Sequence, residues 1–180
     1  MENPYQAPAA QLEQVTVSDD IVFFPVSTTK LVVLSIFSFG LYELYWFYKN
    51  WVLVKGREKS NISPFWRAFF AFFTCHSLFT RISDEAKSDG IPVPAPGLLA
   101  AAWIILTILY RLPDPYSLIS MLSFIPLIPA QKAINSINRK AAPDHDGNHK
   151  FGAANIAVVV IGGIMLALVI VGTFLPEGQA

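Results

Sequence analysis

Residues 151–176 read FGAANIAVVVIGGIMLALVIVGTFLP, 26 residues without a charge. A spanning helix needs about 20 apolar residues. At a rise of about 1.5 Å per residue, this stretch exceeds the hydrocarbon thickness with room for tilt. The sequence is therefore expected to be that of an integral membrane protein, and composition agrees. Of 180 residues, 53% are hydrophobic and only 14% charged, where a soluble domain carries roughly a quarter of charged residues. Lipid is needed to cover part of such a surface. The 14 Phe and 4 Trp suit anchoring at headgroup level.

Three further charge-poor stretches lie N-terminal to it. Leu31–Tyr48, LVVLSIFSFGLYELYWFY, holds one charge, Glu43, and is expected to form a first span over about 30–49. Tyr42, Tyr45, Trp46, Tyr48 and Trp51 crowd its C-terminal end as an aromatic belt would. Gly90–Tyr110 and Pro115–Gln131 are charge-free as well. Pro92, Pro94 and Pro96 make the start of the former extended, and LPDP separates the two as a tight turn. The spacing predicts two short helices, about 97–112 and 116–131, in a hairpin that either crosses the membrane or enters and returns. With the last span at about 152–175, the expected fold class is an all-α membrane protein with about four transmembrane helices. The membrane domain covers 28–176, with 177–180 as a C-terminal tail.

The stretch SPFWRAFFAFFTCHSLFTR, residues 63–81, is apolar in a different way. Ser63 followed by Pro64 is a helix start signal. Only 13 uncharged residues separate Arg67 from Arg81, about 20 Å of helix and too short to span. Arg67, Thr74 and Arg81 recur every seven residues and share one stripe. An amphipathic helix over about 64–81, lying in the interface, is expected; the alternative is a fifth short span.

Charge sets the expected orientation. Lys49–Lys87 and Lys132–Lys150 together carry 11 of the 13 Lys and Arg, leaving Lys30 and Arg111. Four spans put both segments on one side, which the positive-inside rule makes cytoplasmic, with both termini outside. Residues 1–27 contain Glu2, Glu13, Asp19 and Asp20 and no Lys or Arg. They do not read as a signal peptide but as a disordered acidic tail, leaving the first span as its own insertion signal. Zero formal net charge gives no basic field for nucleic acid. One cysteine, Cys75, excludes an intrachain disulfide and a cysteine-based metal framework.

Few groups could carry chemistry. Glu43 stands out, because a carboxylate inside a membrane helix is costly unless protonated or paired. Arg67 is its first candidate partner, then Arg81. His76 follows Cys75, but adjacent helical residues diverge by about 100 degrees. Glu43, Arg67, His76 and Arg81 thus form the candidate intramembrane polar site. DHDGNHK, residues 144–150, reads as a solvated turn rather than a metal site, with Gly147 in its middle and Asn155 where a calcium loop needs a carboxylate. Asn135, Asn138 and Asn155 could hydrogen-bond between helix ends, and Gly162 with Gly163 permits close helix approach. No catalytic residue, metal ligand set or cofactor motif is recognised.

The stretch STTKLVVLSIFSFGLYELYWFYKNW, followed by ISPFWRAFF, resembles a family of short bacterial multi-pass inner-membrane proteins built on a domain of unknown function. The shared feature is a first helix with a Gly-x-Tyr-x-x-Tyr-Trp pattern, here Gly40, Tyr42, Tyr45 and Trp46. The likeness covers about a quarter of the chain and implies a bacterial inner membrane, but no activity. The leading expectation is a non-enzymatic subunit or adaptor of a membrane assembly, in contact with the lipid bilayer and with a protein partner or further copies of itself. Alternatives are an oligomeric transporter or channel component using Glu43, and a lipid-modifying enzyme using Glu43 and His76.

Overall fold

The computed structural model describes residues 21–174, and within them every regular element is helical. Seven α-helices follow in order: α1 Thr28–Phe37, α2 Leu41–Glu58, α3 Pro64–Phe69, α4 Ala71–Ser88, α5 Pro96–Ile108, α6 Leu127–Ala141 and α7 Ala153–Phe174. Two 3-10 turns, Leu109–Arg111 and Tyr116–Leu122, join α5 to α6. Two stretches are long and apolar enough to cross a bilayer, Tyr116–Ala141 and Ala153–Thr173, fewer than the four expected.

The first expected span is two helices. Ser27 caps α1, its hydroxyl accepting from the Lys30 N–H. The helix ends after ten residues in a paired reversal: the Gly40 N–H donates to the Ser35 carbonyl at 2.9 Å and the Phe39 N–H to that of Ile36 at 3.1 Å. Both Phe39 (φ 52°) and Gly40 (φ 84°) are left-handed, and the Ser38 hydroxyl takes the Tyr42 N–H at the start of α2. The chain then turns back. Phe24, just before α1, stacks edge-on against Tyr45 of α2 and donates its N–H to Asn50. Leu31–Tyr48 is thus a hairpin with an apolar tip. The expected outside N-terminus depended on one crossing there and loses that support.

Residues 21–27 correct the expected tail as well. Phe23, Phe24 and Val26 are buried, and the extended segment threads between α2 and α6 with its backbone held by side-chain amides. Asn138 Oδ1 accepts from the Val22 and Phe23 N–H groups at 3.1 Å each, and its Nδ2 donates to the Phe23 carbonyl at 2.7 Å. Asn50 accepts from the Phe24 N–H. Gln131, Asn148 and Asn135 donate to the carbonyls of Phe24, Pro25 and Val26. Without a neighbouring strand, a buried segment needs such partners. Residues 1–20 of the expected tail, and the C-terminal tail 177–180, lie outside the described residues.

The second hairpin matches expectation in its first arm and departs in its second. α5 starts at Pro96, where a missing N–H costs nothing. The return arm opens as a 3-10 turn, and α6 begins only at Leu127 and runs on to Ala141, past the expected end at 131. Pro126 and Pro129 sit at the start of α6, where proline is tolerated in a first turn. The Phe-rich stretch 64–81 breaks at Phe70 into α3 and α4. Trp46, Phe47, Phe79 and Trp103 form the aromatic core between α2, α4 and α5, with Phe47 and Trp103 centroids 4.9 Å apart.

α7 packs on the body through its first half. At its base, the Lys30 ammonium, only 4% exposed, donates to Asn148 Oδ1 and the Lys150 carbonyl at 2.7 Å each. Higher up, Gly162 meets the Phe37 backbone at the end of α1, so closely that a Cβ there would fall 1.7 Å from the Phe37 carbonyl oxygen. The two contacts run in the same order along both helices, so α1 and α7 are parallel. The hairpin tip therefore lies beside Gly162, about 13 Å from the start of α7.

Candidate functional site

Glu43 opens the first turn of α2 and is 2% exposed. Its partners are neutral. Trp103 of α5 donates its indole N–H to Oε2 at 2.6 Å, and the Ser123 hydroxyl donates to Oε1 at 2.7 Å. Phe47 holds the Trp103 ring in place from below. The carboxylate thereby ties together the tip of the first hairpin and both arms of the second.

A cleft of about 420 Å³ opens beside it, within the range of small-molecule sites. Its walls are mostly apolar: Phe39 and Leu41 from the hairpin tip, Phe72 from α4, Trp103 from α5 and Met121 from the return arm. Phe39, Leu41 and Phe72 are themselves exposed, so the mouth is continuous with apolar surface.

The other expected members of the polar site lie elsewhere. Arg67 on α3 and Arg81 on α4 do not share one helical stripe, since the helix breaks at Phe70, but both reach the same ring. Their guanidinium groups sit 4.4 and 5.4 Å from the Trp51 ring centroid. Thr74, between them in sequence, donates to the Arg67 carbonyl. Arg81 also grips Glu58 with two bonds, at 2.7 and 3.2 Å, and this holds the Glu58 carboxyl below its usual range. At such exposure the pair contributes on the order of 1 kcal/mol or less. His76 is exposed on α4. The expected pairing of Glu43 with Arg67 is therefore replaced by Trp103 and Ser123, because α5 and the return arm, not α3, cover that side of α2.

The loop at residues 144–150 is structural. Asn148, itself left-handed (φ 51°), links the Lys30 ammonium to the Pro25 carbonyl. Among the described residues, no three His, Cys, Asp or Glu side chains gather as metal ligands. Sequence reasoning noted Asn135 and Asn138 but assigned them to helix ends, and it missed Asn50, Gln131 and Lys30. The available signal was polar residues at spacings of three and four on the apolar face of α6: Gln131, Asn135 and Asn138.

Glu43 can be tested directly. Glu43→Gln keeps an acceptor for Trp103 and offers the Ser123 hydroxyl a donor, so it is expected to change stability by less than about 1 kcal/mol. Glu43→Leu strands both buried donors and is expected to cost about 1–3 kcal/mol. Thermal unfolding of the purified chain in detergent separates the two. Equal losses would mean that the charge itself, rather than the two acceptors, holds the junction.

No family model, curated protein or solved structure matches the chain.

Proposed function

We propose that the chain is a non-enzymatic subunit or adaptor of a membrane assembly, resident in a bacterial inner membrane as the Gly-x-Tyr-x-x-Tyr-Trp resemblance implies. The observation that carries this is α7. Beyond Gly162 it leaves the body, and Ile164, Met165, Leu168, Val169, Ile170 and Val171 are all exposed. A lone apolar helix satisfies its own backbone in lipid and keeps its flank open to partner helices. Purification in mild detergent is expected to give a stoichiometric complex with a second polypeptide. A monodisperse single chain that alone moves a solute across vesicles would overturn the proposal.

α7 supports a membrane placement as well. If α7 crosses, the first hairpin reaches about half depth beside Gly162 and returns to the side it came from. Residues 21–27, the basic segments and the start of α7 then share the cytoplasmic side, and the C-terminus is outside. The exposed rings of Phe65, Trp66, Phe69, Phe70 and Phe73 face the cytoplasmic leaflet at the level of Leu44 to Tyr48. A C-terminal phosphatase fusion should be active, and an N-terminal epitope should survive protease added to spheroplasts. Loss of that epitope would restore a single crossing at 31–48.

A further inference from the structure

Hydrogen-bond bookkeeping inside the Glu43 cleft is one-sided. The Ser123 hydroxyl gives its hydrogen to Glu43. The Thr107 hydroxyl gives its hydrogen to the Trp103 carbonyl at 2.8 Å, and Ser120 gives its hydrogen to the Ser117 carbonyl at 2.7 Å. The Trp103 indole N–H is also committed to Glu43. A hydroxyl that has donated keeps lone pairs, and a carboxylate offers about four acceptor sites, of which two are filled here. The cleft therefore presents acceptors from Glu43, Thr107, Ser120 and Ser123, with the Tyr110 hydroxyl at the rim as its remaining donor.

The carboxylate also lacks an ion pair. Among the described residues no Lys, Arg or His forms one with Glu43; the pairs present join Arg57, Arg81, Lys87 and Lys140 to other acids, and Arg111, the cation that touches a residue of the cleft, donates to the exposed Tyr110 hydroxyl instead. A carboxylate in a membrane segment normally has a cationic partner or lines a polar path. This one stands on the wall of an otherwise apolar cleft whose mouth is rimmed by exposed Phe39, Leu41 and Phe72.

We propose that the cleft binds a cationic amphiphile with N–H donors, a primary amine on a single hydrocarbon chain. The ammonium supplies the missing counter-charge and the missing donors, to Glu43 and to the hydroxyls of Thr107 and Ser120. The chain lies along Phe39, Leu41, Phe72 and Met121 and leaves through the apolar mouth. An anionic or purely acceptor-bearing amphiphile meets unpaired lone pairs and a like charge, which a buried polar site rejects strongly. The site goes beyond the subunit reading and does not depend on it, since ligand and partner helix use different surfaces.

The test uses the full chain in mild detergent, with dodecylamine, dodecyltrimethylammonium and dodecanoate as probes, read by native mass spectrometry and by the shift of the thermal midpoint. Dodecylamine is expected to saturate as a single adduct and to bind at least about tenfold tighter than either other probe. About tenfold corresponds to about 1.4 kcal/mol. Glu43→Gln, which keeps the fold, should remove that preference. Met121→Trp, which fills the cleft from its wall, should abolish the adduct while leaving the unliganded midpoint in place. Equal binding of all three probes, or amine binding indifferent to both substitutions, would reduce the cleft to a hydrocarbon-filled groove and overturn the proposal. Tighter binding of dodecanoate would assign the opposite polarity and overturn it too.

Discussion

Asn138→Ala is expected to be the most damaging single polar substitution among the described residues. Asn138 is fully buried and makes three hydrogen bonds to the backbone of Val22 and Phe23. Alanine leaves two N–H groups and one carbonyl without partners in a site that excludes water. Each buried unsatisfied group costs about 1–3 kcal/mol, and the costs do not simply add. A total loss of about 3–5 kcal/mol is expected, at the exceptional end for one residue. Asn135→Ala removes two bonds, one to the Val26 carbonyl and one accepted from the Gln131 amide, from a half-buried position where Gln131 keeps its bond to the Phe24 carbonyl, and should cost about 1–2 kcal/mol. Thermal unfolding gives the comparison, and protease cleavage within residues 21–27 should appear in Asn138→Ala first. A loss below 1 kcal/mol, with the segment still protected, would mean that water takes the place of the amide.

The second large effect is steric and carries an internal control. Gly162→Ala places a methyl carbon 1.7 Å from the Phe37 carbonyl oxygen, and that neighbour is backbone and cannot rotate away. α7 must lift off α1, an overpacking cost of about 1–3 kcal/mol. Gly163→Ala meets only the edge of the Phe37 ring at 3.6 Å, an ordinary contact. There alanine gains up to about 1 kcal/mol of helix propensity. Adjacent glycines are thus expected to respond with opposite signs when the thermal midpoint is measured. Equal, neutral responses would show that α7 does not pack on α1 in the membrane.

The two predictions mark what the sequence made legible. α7 could be read because an uninterrupted apolar run of that length has few other uses, and the glycine pair within it announced a close approach without saying to what. The first arm of the Pro-flanked hairpin was legible from proline chemistry, but the return arm was not: a 3-10 turn precedes α6, which starts only at Leu127. The break at Ser38–Gly40 was hidden because an apolar hairpin tip reads the same as a continuous apolar helix. A search for charge-free runs cannot tell Phe39 in a left-handed turn from Phe39 in a helix. Glu43 was visible as costly, but its partners come from 60 and 80 residues away. No local spacing links it to Trp103 or Ser123. The amides on residues 22–26 were invisible for a related reason: they recognise backbone, which leaves no pattern in the residues recognised.

That recognition also sets a clock. The Phe23 N–H finds its acceptor 115 residues downstream, so the apolar stretch IVFFPVS has no home until α6 has left the ribosome. At about 5–20 residues per second the wait is about 6–23 s. Throughout it, the β-branched and aromatic residues 21–24 have a free backbone and are open to pairing with another extended chain, with Pro25 as the one residue that interrupts the ladder. Closing so long a loop costs about 4 kcal/mol of chain entropy, which the buried rings and amides must offset in one late step. Maturation of this protein is thus a race between threading its own N-terminal segment and losing it to a neighbour. Slower synthesis through α6 should lower yield even when the sequence is unchanged.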